Sequence, residues 1–375
     1  MYTVIWPQAE WEIASDRLKR EIADLFRIDD VRRVGKRSFA FTGRLLHPDA
    51  DAGYDEIQRR FKEHGYDPML QEIDGEDVLF AQPQTLGQVN TGNPLINFLL
   101  FVATVFTTLS AGAAMFGVDL LTVLRSGDVA RMIDAVLVGL PFAGALMMIL
   151  GIHELGHYVA ARWHGVKVTL PYFIPMPYNG IGTMGAFIAL KTPMKNRKVL
   201  FDIGIAGPLA GFVVAVPVLL VGIILSSVVP AHLAGTSLDM LGSSVLIDWL
   251  VGFVKEIPTG YTLSIHPIFF AGWLGMYLTG INLLPLGQLD GGHISYALFG
   301  RAAHTIAMMG FVGLILAGIF LSPNWFLWAF IVFLGGLRHP APLNDLSRLD
   351  WARRLLGYAM IILFFLIVIP VPFGG

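Results

Sequence analysis

Apolar segments long enough, or nearly so, to cross a ~30 Å hydrocarbon core recur about seven times after residue 94. They fall near 95–118, 134–160, 200–229, 265–286, 302–321, 324–337 and 351–371, the sixth being short. Backbone in lipid must satisfy its own hydrogen bonds, so such runs read as helices. Of the 375 residues 55% are hydrophobic and only 14% charged, a balance foreign to a soluble domain of this length. The expected fold is therefore an α-helical polytopic membrane protein with about six to seven transmembrane helices.

Charge is concentrated in residues 1–85, as in DRLKREIADLFRIDDVRRVGKR. Periodicity there predicts a helix over 9–27, a strand over 37–46 and a helix over 55–65 closed by Gly65. Strands near 68–73 and 77–82 flank an Asp74-Gly75 turn. These make a small soluble α+β N-terminal domain, read as a regulatory or docking module because it holds no nucleotide loop, metal cluster or nucleophile motif. The Pro/Gly-containing stretch 86–94 reads as a linker to a membrane domain over 95–375. The N-terminus lacks the basic-then-apolar pattern of a secretory signal.

Basic residues orient the spans. Arg162, Lys167, Lys191, Lys195, Arg197 and Lys198 lie between the second and third, and Arg338, Arg348, Arg353 and Arg354 precede the last. Those loops are expected in the cytosol, with the head. The stretch 231–262, carrying Asp239, Asp248, Lys255 and Glu256, suits the far side. The expected setting is the plasma (inner) membrane of a prokaryote. A net charge of −2 gives no reason to invoke nucleic acid. With no cysteine, any metal must be held by His, Asp or Glu.

The second span ends in GIHELGHYVA. His153 and His157, four apart on a helix, project from one face and can meet a single ion, with Glu154 placed to reach a metal-bound water. Ionisable groups inside spans are costly, at about +2.5 to +3.5 kcal/mol near a helix centre, and usually serve function. A zinc ion held by two histidines needs at least one more protein ligand while keeping a position open for water. In GINLLPLGQLDGGH, Asn282 and Pro285 interrupt a later span before Gly287, Gly291 and Gly292 loosen its end. Pro285 removes a helical hydrogen bond, and unwound backbone is tolerated in a membrane only where it lines a cavity. Asp290 is thus expected to face a cavity and the two histidines.

HELGH at 153–157 together with NLLPLGQLDGG at 282–292 resembles the site-2 protease family of intramembrane zinc metalloproteases. That family carries H-E-x-x-H on one span and N-x-x-P-x(3)-L-D-G on a later one. The layout is similar to the plastid and cyanobacterial-type branch, which has a soluble N-terminal region. The likeness is densest over about 130–295. It implies Zn2+ held by His153, His157 and Asp290, Glu154 as catalytic base, and regulated intramembrane proteolysis as the activity. It implies for Asn282 a part in positioning substrate or stabilising the oxyanion; from the residues alone, Asn282 could equally satisfy backbone groups freed by Pro285. The implied partners are the lipid bilayer and transmembrane substrates whose Gly, Asn or Pro lets a helix unwind locally. Oligomeric state is not encoded legibly.

Residues 166–198 are too interrupted to span and too apolar for a plain loop. VKVTL, FIPM and GAFIAL have strand character, so a hairpin dipping into the membrane is expected beside His157. The family has a Gly-rich β-element here, to which Gly182 and Gly185 correspond. They and Pro285 are the expected substrate contacts, an exposed strand edge being able to bind extended peptide; a folded plug of the cavity is the alternative. IAGPLAGF at 205–212 reads as small-residue helix packing. His164, His266, His293, His304 and His339 lack ligand spacing and are assigned no role, His293 included although it stands three beyond Asp290. RHPAPLND at 338–345 reads as a rigid turn. No insertion of PDZ length separates 164 from 265. The rival function is a membrane metal-ion or proton transporter using the same His/Glu/Asp cluster, although neither motif has an internal copy. A second rival is a family member that binds helices without cutting them.

Overall fold

The computed structural model describes residues 8–35, 37–84, 92–177, 180–233 and 237–372. It divides into two compact units: Met1–Val89 with Thr192–Leu200 and Pro340–Arg353, and Asn90–Lys191 with Phe201–His339 and Arg354–Gly375. Of the linker expected over 86–94, residues 86–91 lie outside the described residues.

In the first unit the elements are α1 (Gln8–Ile22), β1 (Phe26–Arg33), β2 (Phe39–Leu45), α2 (Ala50–Glu63), β3 (Tyr66–Ile73) and β4 (Glu76–Pro83). The strands form one antiparallel sheet in the order β1-β2-β4-β3. Leu18 and Ile22 of α1 and Tyr54, Ile57 and Phe61 of α2 share a buried core with Phe39, Phe41, Leu70 and Leu79. The Asp49 carboxylate caps α2 by accepting from the Asp51 and Ala52 amides. Asp74 and Gly75 both take positive φ, +53° and +84°, as a tight hairpin requires.

One element differs from expectation. The helix expected over 9–27 stops at Ile22, and Phe26–Arg33 is a strand. That strand is charge-rich; Phe26 is buried, Ile28 and Val31 pack partly buried on the core, and ladder bonds to β2 complete its hold.

Two distant stretches complete this unit. The Leu70 amide donates to the Leu343 carbonyl at 2.7 Å and the Asp345 amide to the Leu70 carbonyl at 2.8 Å, so 343–345 covers the edge of β3. Leu343 and Leu346 pack on the core. Part of the expected 338–345 turn is therefore paired extended chain.

The second unit is helical: α3 (Pro94–Ala114), α4 (Leu120–Ser126), α5 (Val129–Trp163), α6 (Arg197–Leu225, its first turn in the other unit), α7 (Val245–Val254), α8 (Pro267–Asn282), α9 (Asp290–Phe299), α10 (Ala302–Phe320), α11 (Asn324–Gly335) and α12 (Trp351–Ile367). Among the described residues four helices, α3, α5, α6 and α10, are long and apolar enough to cross a membrane. This is fewer than the six to seven expected. The fourth expected span breaks after 16 residues of α8, α12 has 17 and α11 has 12. Large apolar side chains such as Phe98, Val213 and Met309 lie 60–70% exposed, as lipid-facing residues do.

Strands β5 (Tyr172–Met176) and β6 (Gly182–Phe187) form the expected hairpin, and Val168 bridges to Leu190 just beyond it. Helix α3 anchors it. Asn97 Nδ2 donates to the Leu170 and Pro171 carbonyls at 2.9 and 3.0 Å, and Thr107 Oγ1 to the Gly182 carbonyl at 2.6 Å. A further antiparallel pair, β7 (Ser227–Pro230) with β8 (Tyr261–Ser264), separated in sequence by α7, had no sequence expectation.

Candidate metal centre

Helix α5 runs for 35 residues, roughly 52 Å, and carries His153 and His157 toward its C-terminal end. The i, i+4 spacing aligns them, with ring centroids 4.9 Å apart. Helix α8 ends at Asn282, and the irregular chain through Leu289 lets α9 begin at Asp290. The break falls where Pro285 lacks an amide hydrogen.

The carboxylate of Asp290 meets both imidazoles. Its Oδ2 lies 3.2 Å from His153 Nε2 and its Oδ1 3.2 Å from His157 Nε2. The two Nε2 atoms are also 3.2 Å apart. Ligand atoms about 2.0–2.1 Å from a tetrahedral ion stand about 3.3–3.4 Å from one another. The two nitrogens, and each nitrogen with one of the two carboxylate oxygens, thus stand close to the spacing a zinc-sized ion imposes on its ligands. These are the only described residues whose donors form such a group.

His157 Nδ1 sits 2.7 Å from the Ile203 carbonyl, so it donates there and Nε2 keeps its lone pair for a metal. Glu154 is buried beside His153 and lines the same cavity as Ile188. Asn282 Nδ2 lies 3.4 Å from His153 Nε2. A cavity of about 200 Å³ opens onto all of these, walled also by Ala186, Phe187 and Ile188 and by His293.

The three expected ligands, Glu154 and Asn282 are therefore brought together. The three expected substrate contacts are not. Gly182 packs on Thr107 and Thr108 of α3, and a Cβ there would lie 2.4 Å from the Thr107 carbonyl oxygen. The Gly185 amide donates to Thr183 Oγ1 at 2.9 Å within the hairpin. Pro285 borders a different, apolar cavity with Met360 and Phe364. The part of the hairpin that reaches the site is 186–188, just after the glycines.

Sequence reasoning also missed what lets α6 approach the histidines. A Cβ on Gly207 would fall 2.0 Å from His157 Nε2, one on Gly211 3.0 Å from His153 Nδ1, and one on Gly204 2.7 Å from His293 Cβ. Positions 204, 207 and 211 share one helical face, so three imidazoles lie against a wall of glycines. The signal was present as a glycine at every third or fourth place in GIAGPLAG, read only as general packing.

Comparison with known proteins follows the same residues. The sequence model of peptidase family M50 matches residues 141–321. The probable zinc metalloprotease EGY1, chloroplastic, of Oryza sativa subsp. japonica is 32% identical over 311 residues, covering 76% of this chain and 51% of that protein. The Arabidopsis thaliana protein of the same name is 35% identical over 235 residues, 60% of this chain and 41% of the relative. The probable zinc metalloprotease EGY2, chloroplastic, of Arabidopsis thaliana is 31% identical over 244 residues, 63% and 42%. The chain spans about half the length of the curated relatives it matches. No solved structure matches it.

Proposed function

We propose that this chain is an intramembrane zinc metalloprotease of peptidase family M50, the site-2 protease family, hydrolysing peptide bonds within or near transmembrane segments; the match of that family's model to residues 141–321 and the likeness to proteins named as chloroplastic zinc metalloproteases support the reading. The observation that carries the reading is the meeting of His153, His157 and Asp290, from α5 and α9, at mutual distances of 3.2 Å. These three residues would hold the ion. A divalent ion bound there supplies Lewis acidity, which makes water nucleophilic near neutral pH and polarises a carbonyl.

The chain's own groups do the rest. Glu154, next to His153 and buried, takes the proton of the attacking water and returns it to the leaving amine. Asn282, whose amide reaches toward His153, steadies the carbonyl oxygen. The 186–188 stretch offers backbone to an extended substrate, because a peptide bond inside an intact helix has its carbonyl engaged. Suitable substrates are transmembrane segments that Gly, Asn or Pro allows to unwind.

We place the head, 1–85, and the mouth of the site on the cytosolic side of a prokaryotic plasma membrane, from the basic loops. With 86–94 as linker and 95–375 as the protease domain, α8 and α12 complete six spans if tilt or local thinning accommodates their length, and α11 a partial seventh. A transporter built on the same cluster is not favoured, given relatives named as metalloproteases.

The deciding experiment compares wild-type and Glu154→Gln protein, each with its zinc measured, on a membrane substrate in liposomes. Loss of the base should lower the rate about 10²–10⁴-fold with zinc retained. Cleavage at the wild-type rate by the zinc-loaded variant would end the proposal.

A further inference from the structure

His293 is a polar group of the cavity that the mechanism above leaves unused. It stands one turn into α9, lines the same cavity as Glu154 and Asn282, and lies against Gly204 on the glycine wall that also receives the two ligand histidines. Its nitrogens are not part of the three-residue donor group. Its Nδ1 is hydrogen-bonded to Nε2 of His339. His339 is itself fixed: it is 6% exposed, its ring stacks on Tyr296 at 4.9 Å, and His304 Nε2 donates to its carbonyl at 3.2 Å. With Nδ1 committed, Nε2 is the ring nitrogen left to meet whatever occupies the cavity.

We infer that His293 is a further catalytic residue, hydrogen-bonding the substrate peptide group from Nε2, and that His339 is the positioning residue that holds its ring and sets its tautomer. This rests on the protease reading. The physical logic is that of any preorganised donor: a ring already pinned by a buried partner loses little freedom when charge develops on the carbonyl, so its stabilisation is largely kept. When His339 Nε2 donates to His293 Nδ1, the proton of His293 sits on Nε2, directed to the substrate.

The test uses full-length protein in liposomes and a reporter whose single transmembrane helix is interrupted by Asn-Gly, reading kcat, KM and bound zinc. His293→Leu, close in volume, should lower kcat about 10²-fold with KM and zinc unchanged. His339→Leu should lower kcat by about tenfold, and His339→Gln, whose amide can still meet Nδ1, should recover most of that loss. Should His293→Leu fail to fold, the two His339 variants carry the same comparison. Wild-type kcat in His293→Leu, a loss that tracks zinc content, or equal rates for the two His339 variants would overturn the inference. An inactive wild type, or an active zinc-loaded Glu154→Gln, would overturn the protease reading and take this one with it.

Discussion

His157 shows how much one side chain depends on what its neighbour lacks. Its Nε2 is free for a metal because Nδ1 is tied to the Ile203 carbonyl, and it fits because Gly207 has no side chain. Gly207→Ala should therefore push the imidazole off its position. Zinc affinity is expected to fall about 10–100-fold, measured by chelator competition, while the helical signal is retained. An alanine variant that bound zinc as tightly as wild type would show that α6 can move away at no cost. At this scale His153, Glu154, His157 and Asp290 were legible because short spacings on a helix and around a proline break translate directly into direction. Gly204, Gly207 and Gly211 were not, since the approach of two helices is a property of the pair. The same applies to Gly182, whose missing side chain lets α3 come close, and to Gly185, whose φ of +101° within β6 favours glycine.

Helix α6 begins in the first unit, where its N-terminal turn is held by a cluster around Asp51. Asn196 Oδ1 caps the helix by accepting from the Val199 amide at 2.9 Å, and its Nδ2 donates to Asp51 Oδ1 at 3.0 Å. Replacing Asn196 by Ala should cost ~1 kcal/mol, measured by thermal or denaturant unfolding of that unit. Lys198 and Ser347 also donate to Asp51, at 2.7 and 3.2 Å. Burial pushes the Asp51 carboxyl up, but the hydrogen bonds from Lys198, Ser347 and Asn196 outweigh it and hold it below the usual carboxylate range. Its stabilising effect is thus complete above the unfolded-chain value of about 3.9 and disappears as pH falls through the lower folded value. Wild-type unfolding temperature should drop over that acidic window more than that of Asp51→Asn; parallel curves would show the cluster to be energetically silent. Elements with strong periodicity, such as α2 and the long apolar helices, were legible. The strand β1 was hidden by its charges, and β7–β8 by the absence of any alternation long enough to read.

At the scale of the molecule, the head is not a closed piece of sequence. Residues 340–353 cover the edge of β3 and place Leu343 and Leu346 on the core. Residues 1–85 alone would leave that edge and apolar surface open, an invitation to self-association. The fragment is expected to associate at micromolar concentration and to gain unfolding midpoint when a 340–353 peptide is added; a monomeric fragment indifferent to the peptide would contradict this. On the proposed reading zinc would join residues from two distant helices, so adding it should raise the unfolding temperature of the full chain and chelation should lower it again.

The amino-acid sequence by itself determined the membrane character, the α+β head, the two motifs and the break before Asp290, because hydropathy, short-range spacing and a missing amide hydrogen act locally. Only the tertiary structure decided which glycines face the histidines, that 186–188 rather than the glycines before it reach the cavity, that His293 leans on His339, and that a stretch some 270 residues downstream closes the sheet of the head. Those outcomes depend on distances between elements, which close packing sets jointly and no single segment encodes.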